Sequence, residues 1–550
     1  MRLIERRIGL LFAGFLFCFT VLLARAFWLQ GVQGSGLAAE ATSQQTEMVT
    51  VPGLRGRILD RKGRELAVSE DAATIFATPY QVKDPPQTAD KLAPLLDMNP
   101  EDVLKALTTP SGFSYVARKV DLQTAGRIER LKLPGIGELP DSRRTYPQNA
   151  LASQVVGAVG VDNQPLAGLE SGEDGVLHGT DGERRIVKDA LGEPIRLETV
   201  KPASDGHDIQ LTLDSALQAR TEHVLAGVGA TYQPKGATAI VMDPRNSQIL
   251  AMANWPPVDP NDLADADPAD LQNRATGFTY EPGSTFKAFT VSSALEEKLV
   301  TPDTAFTLAP SIQVADRTIE ESHPRGTVTL TVADILAQSS NVGAVTIGLE
   351  LGATRFSRWI TRFGFGKPTD SGFPAEEQGI VPSLDQYSGS TIGNLPIGQG
   401  LSVTPIQMAA AYAAIANGGI LRRPQLIERV GGEQVSEPPG RRVIDPHVAA
   451  EVRQMLEGVL APGGTASEVS VPGYTLAGKT GTAQVAENGG YSETKFVASF
   501  IGFAPAMNPR LLVAVVVDQP HGDIYGGSVA APAFGRIASF ALPYLGVPTG

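Results

Sequence analysis

Three short segments carry side chains whose type and spacing suit acyl transfer. The first is Ser284-Thr285-Phe286-Lys287, directly after Glu281-Pro282-Gly283, which suits a helix start. On a helix, i, i+3 spacing lays the Lys287 ammonium over the face that carries the Ser284 hydroxyl. Serine alone is a poor nucleophile. A lysine whose pKa is lowered by desolvation or by a second cation can accept its proton. The Ser284 amide at a helix N-terminus can also face a developing oxyanion. The second segment is Ser339-Ser340-Asn341, closing an amphipathic helix. The third is Gly478-Lys479-Thr480-Gly481-Thr482-Ala483, which reads as a strand edge. There Gly481 would let a ligand backbone come close, and Lys479 could hold a carboxylate. Strand alternation puts Lys479 and Gly481 on one face and Thr480 and Thr482 on the other.

Each segment is weak by itself. Ser492-Glu493-Thr494-Lys495 repeats the S-x-x-K spacing in the same chain. The stretch Gly473 to Thr480 formally matches a phosphate loop, G-x-x-x-x-G-K-[ST]. No strong strand precedes it, no clear helix follows it, and nucleotide is scarce outside the cytoplasm, so a nucleotide site is not expected.

The elements around these segments read as follows. Ile209–Leu213 is a strand and Ser215–Ala226 a helix, and strands Ala237–Met242 and Gln248–Ala253 flank a turn at Asp243–Ser247. Helices are expected at Ser284–Leu299, Thr331–Ser339, Ala353–Phe363, Pro405–Asn417 and Pro446–Val459. Phe496–Phe503 and Leu511–Val517 are further strands. Strands at both ends with helices between predict an α/β (α+β) domain on a central, largely antiparallel sheet. Before it, helices are expected at Asp90–Asp97, Asn99–Thr108 and Asp121–Leu133. Asp141–Gly192 shows little periodicity, and Lys201–Asp208 looks like a domain boundary.

The whole chain bounds the function further. It has 550 residues, with 46 basic against 59 acidic side chains, a net charge of −13. That excludes a general nucleic-acid binder, which needs a basic face. Six scattered histidines and one cysteine, Cys18, offer no metal-ligand spacing, so no metal and no cofactor are expected. Cys18 lies in the one strongly apolar run, Ile8–Ala24, behind Arg2, Arg6 and Arg7. The run spans roughly 26 Å, slightly short of a bilayer core of about 30 Å, with Arg25, Phe27 and Trp28 extending it. A retained anchor with a cytoplasmic N-terminus and an extracytoplasmic remainder is expected. A cleaved signal peptide is the alternative, since Ala24-Arg25-Ala26 imitates a cleavage site.

The order S-x-x-K, S-x-N, K-T-G is the signature of penicillin-binding proteins and class A β-lactamases. The sequence resembles the class B penicillin-binding proteins, monofunctional peptidoglycan D,D-transpeptidases. The resemblance rests on Tyr280–Lys287, Gln338–Val342, Ile397–Gln407 and Ala477–Gln484. Arg55–Arg61, Arg144–Pro147 and Gly168–Glu170 add pedestal motifs. It implies an anchor over 1–30, a pedestal of the dimerisation type over 31–205 and a transpeptidase domain over 206–550. It implies Ser284 as nucleophile, Lys287 as acylation base, Ser339 as proton relay and Asn341 as contact to the substrate amide. Lys479, Thr480 and Thr482 would hold the terminal carboxylate, with Gly481 between them. The amides of Ser284 and Thr482 would form the oxyanion hole. Peptidoglycan stem peptides and β-lactams are the implied ligands, and a separate membrane glycosyltransferase and other division proteins the implied partners. Asn341 where elongation members often carry aspartate points to the septal type. Arg55, Arg57, Asp60 and Arg61 read as a structural salt-bridge network or, less well, as a partner surface. Glu170 reads as a buried pairing carboxylate and Gln399 as architectural. The rival activities are a β-lactamase or carboxypeptidase, for which Glu376 or Glu377 could be imagined to activate water, and a non-catalytic scaffold.

Overall fold

The computed structural model describes residues 2–33, 35–36, 46–188, 194–437, 439–487 and 489–549. The polar stretch 31–48, expected to leave the membrane, lies largely outside them. Arg2–Phe27 is a single helix, α1, continued by a π-helical turn Trp28–Val32. It is longer than the apolar run alone because nothing in the arginine-rich start breaks a helix. At about 1.5 Å per residue its 26 residues span roughly 39 Å, enough for a bilayer core. Phe12, Phe15, Phe17 and Leu22 point outward from it, and Cys18 is exposed. Among the described residues it is the one helix long and apolar enough to cross a membrane.

The chain forms two units that do not follow the linear division expected at residue 205. Met1–Leu54, Glu70–Arg143 and Gly179–Gly206 make the first, and Arg55–Ser69, Arg144–His178 and His207–Gly550 the second. The reason lies in the pedestal-type motifs, whose arginines and Glu170 bond to one another within the second unit. In the first unit, helices Pro85–Leu96, Pro100–Thr108 and Leu122–Glu129 pack Leu92, Val103, Leu107 and Ile128 around Ile75. Each start is written in the sequence: Asp84, Asn99 and Asp121 accept the amides of Gln87, Glu101 and Thr124. Prolines at the first turn set the entry of the first two, so the first begins earlier than its apolar periodicity indicates.

The second unit is built on a five-stranded sheet. Ser215–Tyr232 forms α2, Gly236–Asp243 β1 and Gln248–Trp255 β2. A 3-10 turn Gly283–Phe286 leads into α3, Lys287–Glu296. Then come α4 Val332–Ala337, α5 Asn341–Leu351, α6 Ala353–Arg362, α7 Pro405–Ala416 and α8 Pro446–Glu457. Strands β3 Ala477–Glu487, β4 Gly490–Ala504 and β5 Leu511–Asp518 follow, and α9, Ala531–Tyr544, closes the unit. The sheet order is β2-β1-β5-β4-β3, antiparallel throughout, with β3 at the edge. Helices α2 and α9 pack on the sheet, as does α7. β1 and β5 are buried along their whole length, which is why they read as continuous apolar runs. α7 is buried on every side, and its alanines let strands and helices approach closely.

Helix α5 appears where the sequence reading has no element. Its glycines and β-branched residues give it low intrinsic helix propensity. The glycines serve packing instead: a Cβ at Gly343 would lie 2.6 Å from Ile335, and one at Gly348 2.2 Å from Pro396.

The pedestal-type motifs form a network that is buried around Glu170 and exposed at Arg57. Glu170 is fully buried and accepts from Arg55 Nε at 3.0 Å and Arg144 Nε at 2.7 Å. Arg55 also reaches Asp174, and Arg57 pairs with Asp208 at 2.7 Å. Asp60 accepts the amides of Lys62 and Arg64 and the hydroxyl of Ser215. Arg61 contributes its backbone, donating to Leu213 O and accepting from Gln210.

Candidate active site

The Ser284 segment starts as a 3-10 turn and not as the α-helix expected. Lys287 opens α3 directly after the turn, and its Nζ hydrogen-bonds to Ser339 and Asn341 of the second segment. The sequence control behaves differently. Ser492 and Lys495 lie in β4, where i and i+3 point to opposite faces; Ser492 is buried and Lys495 pairs with Glu487 at 2.7 Å.

The Ser284 turn is held from several sides. Tyr280 and Val403 exchange backbone hydrogen bonds of 3.0 and 2.9 Å, and Gly283 N donates to Gly398 O at 3.0 Å. Gly398 has φ +75°, and a Cβ there would lie 2.2 Å from Gly283 O. From α7, Tyr412 OH donates to Thr285 O at 2.6 Å. α7 is fixed by a reciprocal cap between Thr404 and Gln407, with Pro405 in its first turn. The Ile397–Gln407 motif therefore positions the Ser284 turn. Gln399 accepts from Arg317 at 3.3 Å and lines the cleft.

The Ser339-Ser340-Asn341 segment joins two helices. α4 ends with Ser339 in the left-handed region, φ +62°, and Ser340 N donates back to Ile335 O at 3.0 Å. This closure normally uses glycine at the left-handed position. Ser340 then caps α5, its Oγ accepting from Gly343 N at 2.9 Å. The turn aims three acceptors at one cation. Lys287 Nζ donates to Ser339 O at 2.6 Å, Ser339 Oγ at 3.2 Å and Asn341 Oδ1 at 2.7 Å. Asn341 Nδ2 donates to Glu320 O at 2.9 Å, which fixes the orientation of its amide.

Lys287 is completely buried, and desolvation pulls its pKa down to about 7 against the opposing charge of Glu321. Lys479 is also completely buried; desolvation, then the Lys287 charge, hold its pKa well below the usual lysine value. Its Nζ donates to Thr480 O at 3.2 Å and Thr480 Oγ1 at 3.3 Å.

These residues surround a cleft of about 760 Å³. Ser284, Ser339, Asn341, Thr480 and Thr482 line it. Lys287 does not line it but is bonded to Ser339 and Asn341, which do; Lys479 and Gly481, on the other face of β3, do not line it either. Lys479 therefore lies behind the wall formed by the threonines. At Gly481 the close approach is made by the protein's own turn: a Cβ would lie 2.4 Å from Ser499 Oγ and 3.0 Å from Pro282 O. Only Ala477–Thr480 of the phosphate-loop match lie in β3, Gly473–Leu476 preceding it, and β3 runs on as a strand with no helix directly after Thr480. Glu376 accepts from Thr369 N at 2.6 Å and Ser371 Oγ at 3.2 Å, and neither it nor Glu377 lines the cleft.

Sequence reading missed several cleft residues. The rings of His323 and Tyr525 lie 5.8 Å apart, tilted by 30°, both lining the cleft, and Gly526 N donates to Thr482 Oγ1 at 3.1 Å. Glu468 is the one carboxylate among the lining residues. Buried beside the second motif, Glu321 has no motif to announce it; its pairing with Arg325 at i+4 is the only local signal.

A cleft joining a serine at a turn, a lysine at neutral pKa, a second serine and a threonine-lined edge strand is equipped for acyl transfer. Comparison with known proteins agrees. Residues 237–539 match the family model for the penicillin binding protein transpeptidase domain, and residues 50–211 the penicillin-binding protein dimerisation domain. The chain belongs to the penicillin-binding protein family. This penicillin-binding protein is 37% identical over 544 residues to stage V sporulation protein D of Bacillus subtilis, covering 96% of this chain and 84% of that protein. It is 34% identical over 548 residues to the peptidoglycan D,D-transpeptidase FtsI of Escherichia coli, covering 98% and 92%. Among solved structures it resembles penicillin binding protein 3 of Mycobacterium tuberculosis complexed with aztreonam. The TM-score is 0.72 and the identity 30%, with 91% of this chain and 98% of that one covered.

Proposed function

We propose that Ser284 carries the D,D-transpeptidase reaction of this penicillin-binding protein. The observation that carries this reading is the buried Lys287, held by Ser339 and Asn341 one 3-10 turn from Ser284. In its neutral form Lys287 takes the Ser284 proton as Oγ attacks the carbonyl between the last two D-alanines of a stem peptide. The amides of Ser284 and Thr482 stabilise the oxyanion. The C–N bond then breaks. The proton on Lys287 passes through Ser339 Oγ to the departing amine, and D-Ala leaves. An amine of a second stem peptide attacks the ester carbon, its proton returns to Ser284 Oγ, and the crosslink is complete. Thr480 and Thr482 contact the substrate carboxylate from the cleft wall, while Lys479 supports Thr480 from behind through its Nζ–Oγ1 hydrogen bond.

Crosslinking is of the septal type, a reading supported by Asn341 and by likeness to the FtsI and PenA proteins. α1 anchors the protein in the membrane, with its arginine-rich end in the cytoplasm and the cleft outside. A membrane glycosyltransferase and division proteins are its partners, and β-lactams acylate Ser284 in place of the stem peptide. The test is incubation of the full chain in detergent with crosslinkable peptidoglycan strands. D-Ala release together with new crosslinks supports the reading. D-Ala release without crosslinks assigns a carboxypeptidase.

A further inference from the structure

Glu321 lies between two β-elements, Arg317–Glu320 and Val328–Thr331, and its side chain is only 7% exposed. Its Oε1 accepts from Ser340 Oγ at 2.6 Å, from Val342 N at 3.3 Å and from Arg325 Nη2. Its Oε2 accepts from Asn341 N at 2.8 Å. Arg325 also donates to Ser340 Oγ at 3.0 Å. One carboxylate thus grips Ser340 and Asn341, the residues that follow Ser339.

Ser339 needs that grip. Its φ of +62° is unfavourable for a residue with a Cβ, and the turn is what presents Ser339 O, Ser339 Oγ and Asn341 Oδ1 to Lys287. We propose that Glu321, braced by Arg325, is a positioning residue that holds Ser339 and Asn341 against Lys287 and supplies the negative charge its ammonium form faces. The proposal rests on Lys287 acting as the acylation base. The titratable and charged groups around the pair are Lys479 on β3, whose pKa the Lys287 charge lowers, Arg325 beside Glu321, and His323 at the cleft rim. Desolvation, the first cause, lowers the Lys287 pKa; Glu321 raises it.

The test is the second-order acylation rate of the full chain by a fluorescent penicillin, from pH 5.5 to 9, for wild type and three variants. Glu321→Gln places an amide donor against the Asn341 or Ser340 donors and removes the charge. Its plateau rate should fall at least tenfold and its acid limb move to lower pH by half a unit or more. Glu321→Asp keeps the charge, so its limb should stay at the wild-type pH whatever the plateau. Arg325→Gln removes a positive charge, so its limb should move to higher pH, opposite to Glu321→Gln. That pair of opposite shifts is beyond a merely structural role. Should Glu321→Gln not fold, the Asp and Arg325 variants still decide. A limb at the same pH in all folded variants overturns the proposal, as does an unchanged plateau in Glu321→Gln. A wild type that is not acylated on Ser284 at all overturns instead the reading on which the proposal rests.

Discussion

In the proposed reaction, Lys287 decides the chemistry at the residue scale. A base must be neutral before it can accept the Ser284 proton, and burial brings the Lys287 pKa to about 7. Below that pH the ammonium form dominates, so the acylation rate should fall about tenfold per pH unit on the acid side and level off above it. Stopped-flow acylation across pH measures this; a rate flat from pH 5 to 9 would remove Lys287 from the role. Lys287→Ala should lower the plateau by roughly 10² to 10⁴. Thr480→Val deletes a cleft-wall hydroxyl and should weaken capture of carboxylate-bearing substrates by roughly tenfold, read as a higher KM with little change in kcat. The three motifs were legible as residue types, because the chemistry restricts the choice to serine, lysine and asparagine at fixed spacing. Glu321 was not legible, because a carboxylate next to another glutamate reads as solvated surface until folding brings Ser340 to it.

At the element scale, the site is a meeting of a 3-10 turn, a helix-to-helix junction and an edge strand. β3 was readable from its glycines and threonines; strand alternation starts Lys479 and the two threonines on opposite faces, but the long lysine side chain bends back to bond Thr480 Oγ1. The Ser339–Asn341 junction was half readable. It marks a helix end in sequence, but the start of α5 was hidden by glycines whose purpose is close packing against Ile335 and Pro396. The Ile397–Gln407 motif gains a physical meaning only in the fold, where Gly398 abuts Gly283. Gly398→Ala combines a left-handed φ with a backbone clash and should cost about 2 to 4 kcal/mol of stability. Denaturant melts measure the cost. Acylation should also slow in the folded fraction, because the Ser284 turn moves. A variant as stable and as fast as wild type would deny Gly398 its role in supporting the Ser284 turn.

For the whole molecule, the acidic balance excluded nucleic acid and said nothing more. An N-terminal apolar helix compatible with a membrane anchor was legible from apolar length, and α1 proved longer than its apolar run. The division into two units was not legible, because it depends on Arg55, Arg144 and Glu170 coming from three separate stretches of chain. Glu170→Ala leaves two buried guanidinium groups without their carboxylate and should destabilise the second unit by about 3 to 5 kcal/mol. Thermal unfolding of the full chain in detergent checks this, and a shift within error would make the network dispensable.

The central claim is that Ser284 is the acylated nucleophile. Its most direct measurement is peptide mapping by mass spectrometry after brief exposure of the full chain to penicillin. The account predicts one penicilloyl adduct, on the peptide containing Ser284, persisting after free drug is removed and absent from Ser284→Ala. An adduct on another residue, or rapid release of hydrolysed penicillin with regeneration of free enzyme, would contradict it.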